Sequence, residues 1–136
     1  MKLLVDTNVI LDLVLNRTNA TISSSLFRKI NDAGYSAYIT ASSATDLFYI
    51  IHKETHDNIV SYKIMENILK LVSIITVNES DITTALALKW NDFEDCVQYN
   101  AARRNGIDYI VTNNTKDFKN SIVPAVLPKD FCQAFS

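Results

Sequence analysis

The sequence predicts an α/β fold: a three-layer α/β/α sandwich around a mainly parallel sheet of four to five strands. Three observations carry this reading. Short apolar runs alternate with longer segments whose apolar residues recur at helical spacing, the pattern of successive βαβ crossovers. The clearest of the short runs, Leu3-Leu4-Val5, is apolar without interruption, as a strand buried on both faces must be. Gly and Pro number only two each among 136 residues, too few for the tight turns of a β-sandwich or barrel.

The elements follow in order. Leu3 to Val5 forms the first strand, and Asp6-Thr7-Asn8 breaks it. Val9, Ile10, Leu13 and Val14 then recur at helical spacing. Residues 20–33 carry Ile22, Leu26, Phe27 and Ile30 on one face, an amphipathic helix ended near Gly34. Ala37 to Thr40 is a second strand. Ser42-Ser43 offers an N-cap for a helix holding Leu47, Phe48, Ile50 and Ile51. A helix over 58–72 bears Ile64, Ile68, Leu69 and Leu71, and Ile74 to Val77 is the third strand. Two helices follow, over 79–89 and 92–105, the second stopped by Gly106. Tyr109 to Thr112, dense in β-formers, is the fourth strand. Ala125 to Leu127 is a fifth, and Pro128 opens a last short helix.

The length suits one domain, residues 1–136, and no linker, charge block or internal repeat divides it. A chain of this size buries about two-thirds of its unfolded surface, so it needs no covalent staple. Apolar residues make up 48% and charged residues 21%, the composition of an ordinary globule. The two cysteines, Cys96 and Cys132, lack CxxC spacing and read as reduced thiols. No apolar run reaches the ~18 residues of a membrane span, and no cleavable signal pattern is present, so the expected location is the cytoplasm. With 13 basic and 15 acidic residues, the formal charge is −2. That balance excludes a basic nucleic-acid-coating protein and an acidic disordered tail, but not an enzyme with a local nucleic-acid site.

Ligands of open parallel sheets bind beyond the carboxyl ends of the strands, near the topological switch point. Asp6 directly follows the first strand. Asp46 lies in the helix after the second, and Asp117 lies five residues beyond Thr112. Asp92 and Asp95 stand near the start of a helix. Acids gathered at one cleft raise one another's pKa, a penalty that a hard divalent cation removes. Mg²⁺ takes oxygen ligands, retains waters and works on phosphate substrates. Each acid also has an ordinary structural alternative. Asp6 can cap the helix that follows, and Asp46 sits at the third helical position if Ser43 is the N-cap. Asp92 or Asn91 can cap the helix containing Glu94 and Asp95, where acids favour the helix dipole. Asp117 can be a turn residue.

Three segments resemble the motifs of PIN-domain proteins. Val5-Asp6-Thr7-Asn8-Val9-Ile10-Leu11-Asp12 resembles the opening motif, and Asp92-Phe93-Glu94-Asp95 followed by Ala101-Ala102 resembles the central helix. Asp108 to Phe118, with Thr112-Asn113-Asn114 and Asp117, resembles the last motif. The resemblance spans nearly the whole chain in the right order and spacing. It implies a small α/β/α nuclease and Mg²⁺- or Mn²⁺-dependent cleavage of RNA to 5′-phosphate and 3′-hydroxyl ends. Stand-alone domains of this length are often toxins of the VapC type, so it also implies a protein antitoxin and a homodimer. Asp6, Asp46 and Asp95 match the three principal acids, and Asn114 or Asp117 the fourth position. Asp6 and Asp95, with Asp46, would hold the metal, while Asn8 and Asn114 would orient substrate or water. Two positions depart from the family pattern. Asp46 stands where Glu is commoner, one methylene shorter. Asn113 stands where the last motif usually has Arg, which removes a possible phosphate fork.

Other features are read as structural. His52 and His56 stand at i, i+4, but His-Lys-Glu-Thr-His is not HExxH and no third zinc ligand is near. Trp90, Phe93 and Tyr99 could stack bases, but core or subunit contact is the ordinary role. Arg17, Arg103, Arg104, Lys116 and Lys119 are the cations nearest the motifs. Two further readings stay open: a non-catalytic PIN-like interaction domain, and an RNA-processing or DNA-acting nuclease without an antitoxin. Setting aside Asp6, Asp46, Asp95 and Asp117 leaves 11 acidic against 13 basic residues, so the acidity is local and the charge total does not oppose an RNA partner.

Overall fold

The computed structural model describes residues 1–135. Five strands form one sheet: β1 (Lys2–Val5), β2 (Ser36–Thr40), β3 (Ser73–Ile75), β4 (Tyr109–Val111) and β5 (Ala125–Val126). All pairings are parallel and the order is β3-β2-β1-β4-β5. The helices are α1 (Thr7–Val14), α2 (Ala20–Ala33), α3 (Ala41–Thr55), α4 (Asn58–Leu71), α5 (Glu79–Leu88), α6 (Phe93–Arg104) and α7 (Pro128–Ala134), with a 3-10 turn over Thr115–Phe118. The α/β/α sandwich and its parallel sheet are therefore as expected.

The alternation of side chains along β1 builds the layers. Leu3 and Val5 point to one face, where they join Leu26 of α2, Leu47 and Ile51 of α3 and Phe131 of α7. Leu4 points to the other, against Tyr99, Ala101 and Ala102 of α6 and Phe118. Leu3, Leu4 and Val5 are all fully buried, which is why the run shows no polar alternation. Gly34 ends α2 at φ 70°, a left-handed conformation that turns the chain sharply into β2. None of the helices described is long and apolar enough to cross a membrane.

Several element ends differ from expectation. The cap of α3 is Thr40, not Ser42 or Ser43. Strand β2 runs straight into the helix, and Thr40 Oγ1 accepts from the Ser43 N–H at 3.1 Å while Ser43 is buried. Asp46 consequently lies in the second turn of α3, beyond any capping box. Strand β3 stops at Ile75 rather than Val77, and β4 stops at Val111, so Thr112 already belongs to the loop. Strand β5 stops one residue early, at Val126. Cys96 is buried and Cys132 half-buried, both as free thiols.

The sheet order places a switch point beside β1. Connections lead outward through β2 to β3 on one side and through β4 to β5 on the other. The loops leaving β1 and β4 diverge there and leave a crevice at the carboxyl ends.

Candidate active site

A cleft of about 450 Å³ occupies that crevice. Six carboxylates line it: Asp6, Asp46, Asp92, Glu94, Asp95 and Asp117. No Lys, Arg or His does so among the described residues. All four sequence-derived acids are therefore brought together, and Asn8 and Asn114 also face the cleft. Asp92 and Glu94 add to the set.

Asp6 is the best-anchored member. It is only 9% exposed and serves as N-cap of α1, its Oδ1 accepting from the Thr7 N–H at 2.8 Å. Thr112 donates its hydroxyl to Asp6 Oδ2 at 2.9 Å. The Asp6 N–H bonds Val111 O at 2.9 Å, so the residue is clamped between β1 and the end of β4. The capping reading of Asp6 holds, and the same residue lines the cleft.

Asp95 stands one turn into α6, which Asp92 caps through a 2.9 Å bond to the Asp95 N–H. It too is 9% exposed. Gln98, one turn further and 1% exposed, donates its amide to both Asp6 Oδ1 at 3.3 Å and Asp95 Oδ1 at 3.4 Å. Burial pushes the Asp95 carboxyl up to about 8, and the charges of Asp6, Asp92, Asp117 and Glu94 add to the effect. Glu94 rises to about 7, first through a side-chain hydrogen bond with Asp46, then through burial and the charges of Asp46, Asp92 and Asp6.

The last motif forms two pairs. Asn114 donates its side-chain amide to Asp117 Oδ2 at 2.8 Å, so the two candidates for the fourth position are bonded to each other. Asn113 donates to Asp12 Oδ2 at 2.7 Å, and Asp12 is buried. Position 113 is thus committed to α1.

The oxygen-only donor set suits a hard cation that retains water. Thr7 and Gln98 line the cleft, and two of their buried atoms, Thr7 Oγ1 and Gln98 Oε1, have no hydrogen-bond partner. Among the described residues no group of three His, Cys, Asp or Glu side chains is arranged to hold a metal ion.

Sequence reasoning treated Glu94 and Asp92 as helix-terminal acids and did not consider Gln98 or Thr112 as members of the site. Gln98 was accessible from spacing, because i, i+3 places it on the face of Asp95. Several of the remaining candidates have structural roles. Arg104 stays exposed but is bound to the buried Asp81 at 2.8 Å and to Thr76 O at 2.7 Å, so its charge is already paired. His52 stacks on Phe48, and His56 closes α3 at φ 54°. Trp90 stacks on Tyr99 at 4.8 Å, while Phe93 is exposed.

Fold and cleft define a class: a doubly wound parallel α/β domain with an acidic, cation-free cleft at the switch point of its sheet. A family model described as PIN domain matches residues 2–116, and the chain belongs to the PIN-domain family. Ribonuclease VapC1 of Aquifex aeolicus (strain VF5) is 23% identical over 141 residues, covering 99% of this chain and 96% of that one. A toxin-antitoxin complex from Klebsiella pneumoniae matches with TM-score 0.67 and 21% identity over 92% of this chain and 96% of that one. VapBC-1 from nontypeable Haemophilus influenzae matches with TM-score 0.73 and 16% identity over 95% and 99%. At these identities the structural likeness speaks for the fold.

Proposed function

We propose that this PIN domain is a divalent-metal-dependent endoribonuclease of the cytoplasm, acting as the toxin of a toxin–antitoxin pair. One observation carries the chemistry: six carboxylates converge on a cleft that no protein cation neutralises. Such a site is electrostatically incomplete, and Mg²⁺ or Mn²⁺ completes it.

Asp6 and Asp95 would hold the ion, and Asp46 would complete the anionic wall. A bound divalent ion neutralises phosphate charge and lowers the pKa of a coordinated water. The protein's part is positional. Thr112 and the Thr7 N–H fix the Asp6 carboxylate, and Gln98 spaces Asp6 from Asp95. Asp46, hydrogen-bonded to Glu94, would accept a proton from the attacking water. Being one methylene shorter than Glu, it reaches the reacting atoms through water. Asn114, paired with Asp117, and Asn8 would orient the substrate. In-line attack would leave a 5′-phosphate and a 3′-hydroxyl.

The toxin assignment draws support from the ribonuclease VapC1 relative and from the toxin-antitoxin complex among the similar structures. A protein antitoxin and a homodimer belong to the same proposal. The apolar outer face of α4, with Ile59 83% and Tyr62 61% exposed, favours a protein contact.

The test is expression of wild type and Asp95→Asn in cells, with mapping of RNA ends. Growth arrest with new 5′-phosphate ends in the wild type alone is expected. Purified protein should cleave RNA with Mg²⁺ or Mn²⁺ and stop in EDTA. Equal cleavage by Asp95→Asn would overturn the site, and absence of cleavage with either ion would leave a non-catalytic PIN module.

A further inference from the structure

A second groove, also about 450 Å³, opens beside the acidic cleft and shares Asp92 and Asp117 with it. Beyond those two residues its charge reverses. Lys89, Lys116 and Lys119 line it, with Asn91 and Asn120 among them. All three lysines are exposed. The salt bridge found among the described residues joins Arg104 to Asp81, so none of the three is ion-paired.

The lysines come from segments far apart in sequence. Lys89 closes α5 in the left-handed conformation, φ 54°, where Gly or Asn is usual. Lys116 and Lys119 lie in and just after the 3-10 turn, which the buried Phe118 anchors. Trp90 also lines the groove, but its ring is stacked on Tyr99 and edge-on to Phe118, so it forms wall. The cleft's other rim carries Asp46, Tyr49, Ile50 and Glu94 and no cation. The charge along the path is therefore one-sided: carboxylates, then lysines, on one flank only.

We infer that this groove is the track for the RNA backbone on one side of the scissile phosphate, with Lys89, Lys116 and Lys119 each meeting a phosphate. The inference rests on the ribonuclease reading. A polyanion entering the cleft is repelled by the carboxylates, and the lysines supply the attraction that draws one flank of the strand in. Such contacts position the strand and carry no base readout.

The experiment uses Asp95→Asn as non-cleaving background and a fluorescein-labelled single-stranded RNA followed by anisotropy. Lys89→Asn, Lys116→Ala and Lys119→Ala are combined in it; Asn is chosen at 89 because it tolerates the left-handed backbone. Lys53→Ala, Lys63→Ala and Lys70→Ala, exposed residues outside both grooves, form a control with equal charge loss. Three lost phosphate contacts should lower the slope of log K against log salt by about 2 for a single strand. The dissociation constant should rise about 10-fold or more across unrelated sequences. The control should keep its slope. Equal slopes in the groove variant and its background, or an equal drop in the control, would overturn the inference and leave the nuclease reading standing. RNA binding by none of the proteins would overturn both, and cleavage by the Asp95→Asn background would sink the site assignment alone.

Discussion

Replacing Asp95 with Asn should stabilise the metal-free protein while abolishing cleavage. The folded state lifts this carboxyl from 3.8 to about 8, by burial first and by Asp6, Asp92, Asp117 and Glu94 second. At neutral pH the folded protein must therefore take up a proton that the unfolded chain does not carry. One pKa unit corresponds to about 1.4 kcal/mol, so about three units between 3.8 and pH 7 set an upper limit of about 4 kcal/mol. Relaxation of the partly open cleft and counter-ions reduce this, and about 2 kcal/mol is the expected gain for Asn. That corresponds to roughly 6–10 °C in Tm for a chain of this size. The sign with pH is definite. A carboxyl raised on folding costs stability progressively as pH rises from its unfolded to its folded pKa, so the advantage of Asn should grow from about pH 5 to about pH 8. Melting curves in EDTA across that range measure it. A variant no more stable than wild type at about pH 8, or a gap independent of pH, would refute the reasoning.

Further outcomes follow from other contacts. Gln98→Leu removes the amide shared by Asp6 and Asp95, and should raise the Mn²⁺ concentration for half-maximal cleavage by about 10- to 100-fold, read by metal titration. Phe131→Ala empties a fully buried site against Tyr35, Tyr109 and Phe135 and should cost about 3–5 kcal/mol in urea unfolding. Arg104→Met should lower the urea midpoint at neutral pH by stranding the buried Asp81. Burial raises the Asp81 carboxyl, but the hydrogen bonds and charge of Arg104 and the Asn78 N–H outweigh it and hold it low. That stabilisation is present above the unfolded carboxyl pKa and is lost as pH falls through the folded one, so the two proteins should converge in acid.

The layers were legible because β1 is apolar on both faces and the helices are apolar on one. Residues such as Leu3 and Leu4 carry that information locally. The cap of α3 was not legible, because Thr40, Ser42 and Ser43 are all competent caps and only the point where β2 ends selects among them. Asp6, Asp46 and Asp117 could be placed from their positions relative to strand ends, and Asp95 from its position near a helix start. The partnership of Asp46 with Glu94, from different helices, could not, since it depends on how α3 and α6 approach each other. Asn113 shows the same limit. Its partner Asp12 lies 101 positions away, and the motif gives no sign that the side chain faces inward.

The clamping of Asp6 has a consequence for how such a gene decays. Its carboxylate closes the first turn of α1 and ties β1 to the residue after β4, so losing the side chain damages folding together with chemistry. Asp117, Asp46 and Glu94 carry no comparable backbone duty. Selection for survivors of a growth-arresting copy should therefore recover soluble, full-length proteins altered at those positions or at Asp95. Changes at Asp6 to anything but Asn should appear among the chains that fail to accumulate. The order in which the acids are lost would record which of them the fold can spare.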